Sequence, residues 1–178
     1  MNLSESYKYR LQELAGLNNI YYHGSCYDFD KFENIGNNAS RTVFGNKLSV
    51  QGNFITKDKE FAKVFTNPDT HKGCFMYIVK LLSDNIFDLK KPEHYKLYEI
   101  FLNSDEFPIE DYEQEEMEEY IANELPTWDN YPIIEFVKAK GFDGIKLAEF
   151  DGNRGHVAIE SIMVFDPSLL KIIKKQKV

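Results

Sequence analysis

His156-Val157-Ala158-Ile159-Glu160-Ser161-Ile162-Met163-Val164-Phe165 reads as a strand that is apolar on both alternating faces around one carboxylate. A strand apolar on both sides belongs in the interior of a sheet. An ionised Glu160 there costs several kcal/mol unless it is paired or faces a polar cleft. Glu160 is therefore either a site residue or a sign that the strand edge is locally exposed. Downstream, Asp166-Pro167 separates this strand from a shorter one over Leu169–Ile173. Upstream, Gly141-Phe142-Asp143-Gly144-Ile145 opens a strand over Asp143–Ala148, and Asp151-Gly152 makes the turn between them.

Working back toward the N-terminus, the pattern becomes helical. Asn130 and Pro132 open a helix stopped by Gly141. Glu110–Glu124 places Tyr112, Met117, Tyr120 and Ile121 on one stripe opposite its acids. Pro92 opens a helix with Tyr95, Tyr98 and Phe101 at helical spacing. The front of the chain is again strand-rich. Asn19–His23, Gly52–Thr56, Cys74–Leu82 and Ile86–Leu89 read as strands, the third as an interior one. A first helix is expected over 5–15, with Ser4 as cap and Gly16 as stop. Asn34–Asn46 reads as a long Gly/Asn-rich loop. Thr56 is expected to cap a helix carrying Phe61, Ala62 and Phe65, with Asp58 and Glu60 in its first turn. Strands at both ends and helices between them predict an α+β fold on a largely antiparallel sheet. The 178 residues form one domain, with residues 92–130 as an acidic helical insertion.

Composition narrows the function classes. Apolar residues make up 43% and aromatics 15%, which excludes a disordered chain. No apolar run reaches membrane-spanning length, and the polar, acidic start does not resemble a secretory signal. Cys26 and Cys74 lack metal-ligand spacing and are expected as reduced, buried thiols of a cytoplasmic protein. Net charge is −8, but residues 105–124 hold ten acids and no base, leaving 21 basic against 19 acidic residues elsewhere. A near-neutral body is a poor nucleic-acid binder. The acidic segment reads first as a solvated helix face and second as a contact for a basic partner.

No phosphate-binding loop, dinucleotide glycine fingerprint, zinc helix or serine-nucleophile elbow is present. Two features join Glu160 as candidates. Tyr22-His23-Gly24-Ser25 places a ring nitrogen at a strand end, beside backbone that a ligand can approach closely. Gly52-x-Phe54-Ile55-Thr56, with Phe65 nine residues after Thr56, supplies two aromatics. These either fill the core or present faces to a flat cationic ring.

In this order, Tyr-His-Gly-Ser, Gly-x-Phe-Ile-Thr, Gly-Phe-Asp-Gly-Ile and Val164-Phe165-Asp166-Pro167-Ser168 resemble the ADP-ribosyltransferase superfamily. The resemblance is to its histidine-class branch, which holds diphtheria-toxin-like and poly(ADP-ribose)-polymerase-like enzymes and small bacterial and phage members. It covers residues 20–82 and 132–173. It implies a split antiparallel sheet with peripheral helices, and NAD⁺ as the substrate. By that resemblance His23 bonds the adenosine ribose, and the Gly24 backbone, flanked by Tyr22 and Ser25, holds the nicotinamide carboxamide. Phe54, within Phe54-Ile55-Thr56, and Phe65 stand where the family usually has tyrosines. Ala62 stands where relatives often have a serine that bonds the carboxamide. Each missing neutral hydrogen bond weakens binding by about 1 kcal/mol. Glu160 matches the acid that polarises the nicotinamide ribose, with Glu149 as second candidate. In the family that acid often lies one place nearer the Val-Phe pair, where this chain has Ser161.

The expected activity is mono-ADP-ribosyl transfer from NAD⁺ to a macromolecular acceptor with release of nicotinamide. The acceptor is expected to be a protein, with basic proteins as candidates, rather than nucleic acid. No metal is expected. The setting implied is a cytoplasmic bacterial or phage effector, acting in the host cytoplasm if phage-encoded. The alternative is a binding or inhibitor module on the same fold that works through its acidic helical surface.

Overall fold

A computed structural model describes residues 19–33, 40–43, 46–49, 52–66, 73–102, 131–150 and 158–178. The helices expected over 5–15 and Glu110–Glu124, and the turn at Asp151-Gly152, lie outside the described residues. In chain order the elements are β1 (Ile20–Ser25), β2 (Ser40–Val43), β3 (Asn46–Ser49), β4 (Asn53–Thr56) and α1 (Lys59–Val64). Then come β5 (Phe75–Leu81), β6 (Ile86–Phe87), α2 (Pro92–Leu102), α3 (Tyr131–Ala139), β7 (Gly144–Phe150), β8 (Ala158–Val164) and β9 (Leu170–Lys177). The fold is α+β. Its seven-stranded sheet runs β6-β7-β8-β4-β1-β5-β9, and β2 and β3 form a separate two-stranded ladder. That ladder corrects the expectation of a loop over Asn34–Asn46, which ends inside it. Adjacent strands of the large sheet are antiparallel except β6 and β7.

Each face of the sheet carries a core. On the first face, Ile145, Leu147, Met163 and Phe87 are covered by α2, through Tyr98 and Phe101, and by α3, through Ile133, Ile134 and Val137. On the second face, Tyr21, Ile55, Val79, Ile162 and Val164 cluster with Phe32 and Tyr77. Strand alternation assigns every other residue of β8 accordingly: Ile159, Ser161 and Met163 to the first face, Glu160, Ile162 and Val164 to the second. α3 ends as expected at Gly141, whose φ of +81° suits only a residue without a side chain.

Two local expectations need correction. Helix α1 is capped by Asp58, whose carboxylate accepts from the Phe61 amide at 2.8 Å. Thr56 lies two residues further out, and its hydroxyl accepts from the Asp58 amide. Asp58 wins because its side chain reaches the third amide of the turn directly. The second correction concerns the thiols: Cys26 and Cys74 form a disulfide. The β1–β5 ladder runs from Ile20↔Lys80 to Ser25↔Phe75, so the next positions out are Cys26 and Cys74. Their Cα atoms are 3.9 Å apart, and the strand pairing that brings them together joins segments 48 residues apart.

Among the described residues the shortest register in the sheet lies between β1 and β4. β1 shares six registered pairs with β5, and β4 shares four with β8. Between β1 and β4 the register holds a single pair, Tyr22↔Thr56.

Candidate active site

Most of the sequence candidates lie on β1, β4 and α1 around the seam between β1 and β4, while Glu160 on β8 and Glu149 on β7 lie beyond it. His23 lies on the second face, its ring edge-on to Phe29 and Phe32 at centroid distances of 5.9 and 5.2 Å. Its Nδ1 is 2.7 Å from the Phe54 carbonyl across the seam. A carbonyl only accepts, so Nδ1 carries the proton. Burial holds the His23 pKa below the ordinary histidine value, and the bond to Phe54 offsets this only in part. At neutral pH the ring is therefore an uncharged imidazole whose Nε2 is an acceptor.

Gly24 follows on the first face, beneath α1. A Cβ built there meets the Ala62 carbonyl oxygen at 1.9 Å, so only glycine lets the helix sit this close to the strand. Ala62 and Ile55 are each only 1% exposed and are core residues. Ser25 accepts a hydrogen bond from the Tyr27 amide at 3.1 Å. Phe65 is the residue that ends α1, and its half-buried ring meets Phe61 edge-on. Phe54 is half-buried against the first core.

The two acids are separated by the pleat. Glu160 points to the second face, between Lys90 at 3.0 Å and Lys146 at 3.2 Å, and Lys146 also bonds Asp88 at 2.8 Å. Burial by itself raises the Glu160 pKa, but the two lysines outweigh it and hold the carboxyl below its ordinary value. Its charge is answered within the fold, which explains why the strand tolerates it.

Glu149 sits on β7 and points to the first face. It is 9% exposed, and its carboxylate accepts a hydrogen bond from Ser161, itself 1% exposed. In the β7–β8 register Ser161 lies opposite Leu147 and Glu149 lies opposite Ile159, so the two polar side chains meet on the diagonal. Ser161 in turn lies opposite Thr56, and Thr56 opposite Tyr22. Tyr22, Thr56, Ser161 and Glu149 thus form a polar row across four adjacent strands, on a face whose core is otherwise built of aliphatic and aromatic side chains. Thr56 also ties the row to its surroundings, donating to the Glu160 carbonyl at 2.9 Å. The row brings together four residues that are far apart in sequence. It leaves His23, Ile55 and Glu160 on the other face. The bond between Ser161 and Glu149 was not legible in the sequence, where Ser161 stood out only as the neighbour of Glu160.

The chain matches no protein-family model, no curated protein and no solved structure. Among the described residues no cluster of His, Cys, Asp and Glu is placed to hold a metal, and no helix is long and apolar enough to cross a membrane.

Proposed function

We propose that the protein is an NAD⁺-dependent mono-ADP-ribosyltransferase, with Glu149 rather than Glu160 as its acid. The observation that carries this reading is the buried Glu149 carboxylate, held by Ser161 in a polar row that ends on the His23-Gly24 strand. Burying a carboxylate such as that of Glu149 is costly. Glu149 accepts from a hydroxyl of the polar row, on the face opposite Lys90 and Lys146. A carboxylate held there can stabilise developing positive charge in a water-poor site.

In the proposed reaction the bond between nicotinamide nitrogen and ribose C1′ breaks, and its electron pair leaves with nicotinamide. The ribose acquires oxocarbenium character, stabilised by Glu149. A lone pair on the acceptor then forms the new bond to C1′, and the acceptor releases its proton. Phe54 and Phe65 flank the nicotinamide side, and His23, on the opposite face, holds the seam through the Phe54 carbonyl. The acceptor is a protein side chain, for which the acidic 105–124 segment selects basic partners. Isothermal titration with NAD⁺, followed by assay of nicotinamide release with and without protein acceptors, tests this. Binding and release support it, and absence of both leaves a non-catalytic binding module.

A further inference from the structure

Resting on the transferase reading, we infer that Ser161 is the positioning residue of the site, fixing the Glu149 carboxylate from the neighbouring strand. A glutamate has three side-chain torsions, and a single serine hydroxyl can select among its rotamers only if the hydroxyl itself is fixed. Here it is. Ser161 lies at the middle of β8, paired on one side with Leu147 of β7 and on the other with Thr56 of β4. The carbonyl just before it, that of Glu160, accepts from the Thr56 hydroxyl at 2.9 Å. At 1% exposure the serine hydroxyl is shielded from water, and its donation to Glu149 meets its hydrogen-bonding need. The two strands divide the work, with β7 supplying the charge and β8 the direction in which it points.

The test is a double-mutant cycle on nicotinamide release. Ser161→Ala is expected to lower kcat about tenfold or more while leaving KM for NAD⁺ within about twofold, the signature of an interaction that counts in the transition state. In a Glu149→Gln background the same change is expected to cost nothing further, because its effect passes through Glu149. A raised KM with unchanged kcat, or the same loss in both backgrounds, overturns the positioning role. A second measurement does not depend on turnover: the side-chain carboxylate carbon signal of Glu149, assigned by its disappearance in Glu149→Gln, moves in Ser161→Ala. An unmoved signal overturns the positioning claim alone. Failure of the wild type to release nicotinamide, with the signal still moving, overturns the transferase reading and this role within it.

Discussion

Ser161 donates to Glu149 on the first face of the sheet, while Glu160, its immediate neighbour in sequence, is clasped by Lys90 and Lys146 on the second. Strand alternation therefore puts the carboxylate of the polar row and the carboxylate held by lysines on opposite faces. Glu160→Gln is expected to keep nicotinamide release within about threefold of wild type. Its cost falls on stability, up to about 1 kcal/mol for half-exposed ion pairs. Urea unfolding beside the activity assay checks both. Loss of activity at full stability would return the catalytic role to Glu160.

Gly24→Ala tests the close approach of α1 to β1. The added methyl would meet the Ala62 backbone carbonyl, which cannot swing aside like a side chain. Overpacking of this kind costs about 1–3 kcal/mol. Thermal unfolding should show the loss. A variant as stable as wild type would mean that α1 is not seated on Gly24.

Acid should weaken the fold through its histidines. Burial lowers the pKa of His23 and of His94, and His94 Nδ1 accepts from the Asp88 amide at 2.9 Å while its ring stacks on Phe87. A histidine with a depressed folded pKa contributes stability above its ordinary value of 6.5 and loses it as pH falls. Asp88 and Glu160 are depressed from 3.8 and 4.5, so their contribution persists through that window and is lost only at lower pH. The unfolding free energy from urea titrations should fall between pH 7.5 and 5.5, by at most ~1.4 kcal/mol per pH unit for each histidine, and the midpoint with it. His94→Gln should flatten the slope. An equal midpoint at both pH values would contradict the burial of these rings.

The disulfide makes a separate prediction. Cys26–Cys74 closes a segment of 48 residues, and opening it by a dithiol reductant or by Cys26→Ser should cost about 2–4 kcal/mol. Labelling under denaturing conditions should find no free thiol in the oxidised protein and two after reduction. Two reactive thiols at the start would refute the pairing.

The sequence showed the elements better than their partners. β5 and β8 were legible because apolar runs such as Phe75–Val79 and Ile162–Val164 belong inside a sheet. The direction of Glu160 was not legible for the same reason. When Ile159 and Met163 bury on one face and Ile162 and Val164 on the other, hydrophobicity does not tell which face holds the site. Nor was the cysteine pairing, which follows from the register of β1 against β5, set by contacts distant in sequence. β2 and β3 escaped notice because Ser40–Ser49 is rich in residues that favour turns. The likeness of Tyr22-His23-Gly24 to a nucleotide site singled out β1, while the row through Thr56, Ser161 and Glu149 emerged only once β1, β4, β8 and β7 were aligned.

The central claim is that Glu149 is the acid of an NAD⁺-cleaving site, and the most direct measurement is release of radiolabelled nicotinamide by Glu149→Gln and Glu160→Gln side by side. Glu149→Gln is expected to lose release by about a hundredfold or more while still binding NAD⁺, and Glu160→Gln to remain active. An active Glu149→Gln variant, or a wild type that neither binds NAD⁺ nor frees nicotinamide, would contradict it.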